Sequence, residues 1–180
     1  MHRDYKYIID SVFDKDFFTD KGSEATVENI QSHIKAFNRS FPNLSRYFLD
    51  NLKSEFPNAL IENYTQFFNN DRCIRFLVQI NDQERYVLQI GIFEIFSIYK
   101  HSYKIMNNKY QYDEVFFIDK GEVAIADKFY HCLPTVCEHF EWLEREFLNQ
   151  EVSAFSNKLH DKELSHIVKV ADLLFTSHYI

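Results

Sequence analysis

Glycine, proline and cysteine each occur only three times in 180 residues, and tryptophan once. Each scarcity excludes something. Phosphate-cradling loops need clustered glycines, because the backbone must approach the ligand closely and adopt positive φ. Gly22, Gly91 and Gly121 stand far apart. Neither a GxGxxG fingerprint nor a GxxxxGK[ST] loop is present, and no GxSxG nucleophile elbow. Cys73, Cys132 and Cys137 form an odd, sparse set, which predicts free thiols in a reducing, cytoplasmic compartment. The richest apolar stretch, Tyr86 to Tyr99, is interrupted by Gln89, Glu94 and Ser97. It is too short and too polar to span a bilayer. The first residues show no apolar run with a small-residue cleavage site, so no signal peptide is expected.

Positive charge is also in short supply. Twenty Lys and Arg face 27 Asp and Glu, for a net charge of −7. Such a chain is repelled by phosphate backbones, which disfavours nucleic acid and anionic membranes as partners. A basic protein is the complementary partner.

Aromatic residues are abundant: 19 Phe and 11 Tyr. Hydrophobic residues make up 46% of the chain and charged residues 26%, a composition that folds. The length fits one domain, residues 1–180, in three consecutive layers. Residues 1–57 read as helical. Tyr5, Ile8, Ile9, Val12 and Phe13 recur at helical spacing, as do Val27, Ile30, Ile34, Phe37 and Phe41. Ser23 suits the N-cap of that second helix. Leu44, Phe48, Leu49, Leu52 and Phe56 make a third, stopped by Pro57.

Residues 59–118 read as a four-stranded antiparallel sheet. Short polar breaks separate Leu60–Phe68, Cys73–Ile80, a long run Arg85–Tyr103 bent near Gly91, and Tyr112–Ile118. Residues 119–180 read as helical again: Glu122–Cys132, a helix over 134–149, and a last one beginning near Asp161. The expected class is α+β, with N-terminal helices, a curved antiparallel sheet, and C-terminal helices packed on it.

Helix 134–149 draws attention. At 100° per residue, Val136, Phe140, Leu143 and Phe147 make one stripe, and Trp142 falls almost opposite among Glu138, Glu141, Glu144 and Glu146. From 119 to 151, eight acidic residues, Asp127 among them, face three basic ones. This pattern predicts an anionic docking surface with Trp142 as its aromatic anchor, since tryptophan is enriched at binding hot spots and charge steers encounter.

Three other constellations bear on chemistry. His131, Cys132, Cys137 and His139 are zinc-ligand types. Their spacing is poor, and on a helix Cys137 and His139 point about 160° apart, so no metal is expected. A cysteine nucleophile needs a lowered pKa, which an acidic neighbourhood opposes. Glu94, His101, Tyr103 and Asp113 offer an alternative: a ligand or enzyme pocket between sheet and helices.

These features together predict a non-enzymatic, cofactor-free binding protein, monomeric or homodimeric. It would neutralise a basic partner, such as a toxin domain, through residues 119–151. Bacterial immunity proteins share this size, class and charge; that is an analogy of character, without a shared motif.

Overall fold

The computed structural model describes residues 5–13, 24–65, 67, 71–82, 84–106, 109–152 and 168–175. Three amphipathic helices come first. Helix α1 (Tyr5–Val12) buries Tyr5, Ile9 and Val12. Helix α2 (Glu24–Ser40) buries Ile30, Ile34 and Phe37, and α3 (Leu44–Glu55) buries Leu44, Phe48 and Leu52. Those residues lie three or four apart, so each helix turns one apolar stripe inward. The N-cap expected at Ser23 lies outside the described residues.

Five strands follow in spatial as well as chain order: β1 (Leu60–Asn63), β2 (Cys73–Gln79), β3 (Arg85–Gly91), β4 (Ile95–Met106) and β5 (Lys109–Phe117). Each is antiparallel to the next. A sixth, β6 (Glu141–Trp142), pairs in parallel with the start of β4. The sheet is therefore mixed and six-stranded, where four antiparallel strands were expected. The long run Arg85–Tyr103 accounts for part of the difference. It does not bend at Gly91 but reverses there through Ile92–Glu94, with Glu94 in the left-handed region at φ 60° and its N–H bonded to the Gly91 carbonyl at 3.1 Å. A Cβ on Gly91 would sit 2.5 Å from the Ile95 side chain and 3.2 Å from the Phe175 ring. Close approach, not φ, explains this glycine.

Strand β4 outruns β3. After Lys100, its pairing among the described residues is with β5 alone. The ladder slips between Ser102 and Tyr103, which leaves Asp113 as the extra residue of a bulge.

The helix expected over 134–149 is not formed. Helix α4 (Ala124–His131) is followed by a single 3₁₀ turn at Thr135–Cys137, then β6, then one helical turn, α5 (Arg145–Leu148). Backbone hydrogen bonding supplies the reason. Strand β5 pairs with β4 only from Tyr99 onward, so the outer edge of β4 before that point needs another partner. Glu141 N–H meets the Glu94 carbonyl at 3.1 Å, and Leu143 N–H meets the Phe96 carbonyl at 2.9 Å. Extended backbone there outweighs helical periodicity. Val136, placed in the core stripe by that periodicity, is 55% exposed.

Strands β2 and β3 and the start of β4 are buried on both faces. On one, Phe76, Leu88, Phe96 and Ile98 are fully buried. Phe48 of α3 packs edge-on against Phe76 and Phe96, and Phe129 of α4 packs on Tyr86. On the other face lie Cys73, Arg75, Gln89 and Ser97, all buried. The last helix, α6 (Val170–Leu174), is wholly buried. Arg72 holds its C-terminal end: its N–H bonds the Phe175 carbonyl at 2.9 Å, and its guanidinium bonds the Asp172 carbonyl at 2.5 Å. A cation at a helix C-terminus is favourably placed. The same guanidinium stands 5.5 Å from the Phe13 ring centroid at the end of α1.

Candidate functional site

Trp142 is not a surface anchor. It is 7% exposed, and its indole N–H donates to the Ile118 carbonyl at 3.1 Å. Phe96 and Tyr130 each pack against it at 5.5 Å. The wheel placed it outward because it assumed a helix. In β6 its side chain alternates inward, beside Phe96, its register partner.

The acidic residues around it divide into two groups. One is committed to the fold. The Asp119 carboxylate accepts the Arg145 N–H at 2.6 Å, and the Arg145 guanidinium pairs with Glu122 and reaches the Phe117 carbonyl at 2.7 Å. Glu144 accepts the Lys120 N–H at 3.3 Å, and Asp127 accepts the Gly121 N–H at 3.2 Å. Glu141 accepts the Tyr5 hydroxyl at 2.6 Å. The Arg145 guanidinium holds Glu122 below the usual carboxylate range. Burial, with a shared hydrogen bond to Asp119, pushes Glu144 above it. The second group is Glu138, Glu146 and Glu151. All three are exposed, and none forms an ion pair with a described cation; Glu151 faces Lys169 only across a backbone bridge.

Of the four residues of the alternative pocket, His101, Tyr103 and Asp113 are neighbours in the β4–β5 ladder, and Glu94 stands apart from them. Glu94 sits in the turn before β4, and its carboxylate is 3.3 Å from His139. His101 lies six residues along β4 from Ile95, about 20 Å at the rise of an extended strand. Tyr103 and the bulge residue Asp113 are farther still. A cavity lies elsewhere: a groove of about 400 Å³ between α1, α5 and the stretch 150–152.

The zinc-type residues also scatter in role. Cys132 and Cys137 are buried, while His131 and His139 are exposed. Among the described residues, no three His, Cys, Asp or Glu side chains gather as a metal site. Burial pushes the Cys132 thiol up to about 11 and, with Glu94 adding to it, the Cys137 thiol up to about 12. Neither is a thiolate at neutral pH.

A polar row across the second sheet face escaped the sequence reading. Asp71 and Arg75 pair at 3.1 Å, both almost fully buried. Arg75 and Gln89 each donate to the Cys73 sulfur, at 3.7 and 3.9 Å, and Ser97 donates to the Gln89 oxygen at 3.0 Å. The signal was present: Arg75, Gln89 and Ser97 each interrupt an apolar run, and antiparallel register sets them side by side. Chemically the row is closed. Burial lifts Cys73 to about 11, and the Ser97 hydroxyl is spent on an amide rather than offered to a base. It fixes the strands; it does not present a nucleophile.

No protein-family model matches this chain, and no curated protein or solved structure matches it either.

Proposed function

We propose that this chain is a non-enzymatic binding protein that engages a basic protein partner through the segment 119–151, neutralising it as an immunity protein neutralises a toxin. The observation that carries the reading is the group Glu138, Glu146 and Glu151, exposed and without a cationic partner among the described residues. A preset anionic surface speeds encounter with a cationic one and costs little reorganisation. The recognition centre is these carboxylates, not Trp142. Three buried, unpaired thiols accord with a cytoplasmic setting.

The test is affinity capture from the native host with the immobilised chain, repeated with a Glu138→Lys/Glu146→Lys variant. A specific basic protein should be retained by the parent chain and lost from the variant by at least about tenfold, with a steep decline in salt. Undiminished capture by the variant would overturn the site; capture insensitive to salt would overturn the electrostatic reading.

A further inference from the structure

We infer that the groove beside α1 receives a basic side chain with its apolar neighbour from the partner, so that recognition is cationic and amphipathic rather than merely cationic. This deepens the acidic-surface reading and rests on it. The groove holds about 400 Å³, at the small end of the range for ligand sites. That is room for two or three side chains.

Its floor is apolar. Ile9 and Val170 are each 5% exposed, and half-buried Phe147 and Val152 complete it. The floor is also fixed. Val152 N–H bonds the Val168 carbonyl at 2.9 Å, and Val170 N–H bonds the Gln150 carbonyl at 3.0 Å, tying the end of the acidic segment to the start of α6. Phe147 is held by the Tyr5 ring at 5.5 Å.

The rim is charged and unevenly so. Asp10 and Glu151 border the groove, with Lys6 the one cation among its described lining residues; Lys169, across a β-bridge from Glu151, turns its ammonium to Asn149. Asp10, Glu151 and Lys6 are exposed, and no ion pair among the described residues occupies them. Glu146 adjoins Phe147 in the chain and adds to the negative excess. An arginine or lysine lays its methylene stem on apolar surface while its head stays in water. Here the stem meets Ile9, Val152 and Val170, and the head meets Asp10 or Glu151. An anionic ligand would meet two carboxylates for one ammonium. A neutral apolar ligand would leave the rim unused.

The probe is the blocked peptide acetyl-Arg-Val-Arg-amide, titrated into the full chain by calorimetry and by amide chemical shifts. Binding should perturb Ile9, Glu151 and Val152, while acetyl-Glu-Val-Glu-amide should not bind. Asp10→Asn and Glu151→Gln should each weaken binding about threefold, the scale of an exposed ion pair. Lys6→Gln should tighten it about twofold, an outcome that loss of structure cannot imitate. Asp82→Lys, in the exposed β2–β3 turn and outside both the groove and the acidic segment, should leave peptide affinity within about a factor of two. If the peptide does not bind, or if Asp82→Lys weakens it as much as Glu151→Gln does, the groove assignment falls. Capture of the partner by the parent chain but not by the Glu138→Lys/Glu146→Lys variant would then still uphold the acidic surface.

Discussion

The two faces of the central strands β2, β3 and early β4 are buried alike and built on opposite terms. One is a stack of rings, Phe76, Phe96 and Tyr86, met by Phe48, Phe129 and Trp142. The other carries a carboxylate, a guanidinium, a thiol, an amide and a hydroxyl in one connected row. Stability on the first face scales with volume filled, and neighbours can partly relax around a change. On the second it depends on each polar group keeping its partner, because an uncompensated buried charge is costly. Burial alone therefore says little about how a position tolerates substitution.

The largest expected effect is on the ring face. Phe96→Ala removes a fully buried ring that touches Phe48, Tyr130 and Trp142. It should cost about 4 kcal/mol in chemical denaturation. A loss under about 1 kcal/mol would mean that the face collapses freely and the ring stack is not the core.

Arg75→Leu comes next, at about 3 kcal/mol, because Asp71 keeps a buried charge that has lost this partner. The contrast sharpens in a double-mutant cycle. Asp71→Asn and Arg75→Leu should be non-additive, the pair together costing about 1–3 kcal/mol less than the sum of the two. Additivity would show that the two groups act independently and that the row is not a unit.

The smallest effect tests an arginine outside the sheet, where water competes. Glu122 lies below the usual carboxylate range beside Arg145. Its contribution is complete above that range and disappears as pH falls through its folded value. Both side chains are more than a third exposed, so Glu122→Gln should cost at most about 0.5 kcal/mol at pH 7, and progressively less as pH falls through the folded value. Glu144, held above the range mainly by burial, has the opposite sign: the folded chain binds its proton more tightly, so ionisation at neutral pH weakens the fold. Glu144→Gln should raise the thermal midpoint slightly at pH 7. Equal shifts for both variants would refute the division of roles around Arg145.

Much of this organisation was legible in the residues. The stripes Ile30–Ile34–Phe37 and Leu44–Phe48–Leu52 are local, and local periodicity suffices to place α2 and α3. The 134–149 segment misled because its spacing fits a helix while its fate is decided elsewhere, by a carbonyl edge near Phe96 that lies more than forty residues upstream. No window along the chain contains that edge. The same limit hid Trp142, whose partners Ile118 and Phe96 are nonlocal, and separated Glu94 from His101, which are close in the chain but lie far apart along an extended strand. The polar row was half visible. Arg75, Gln89 and Ser97 advertise themselves as interruptions, yet only the register shows that the three interruptions are one feature.

Arg72 carries one more implication. A five-residue helix has almost no tendency to persist by itself, so α6 survives because Arg72, just before β2, grips its final carbonyls. That same grip reaches Phe13. The beginning and the close of the described chain thus share a single fastener, and neither should fray without the other. Hydrogen exchange at Ala171–Leu174 and at Ile9–Phe13 should accelerate in step when Arg72 is changed to Ala, as two loose threads released from one knot.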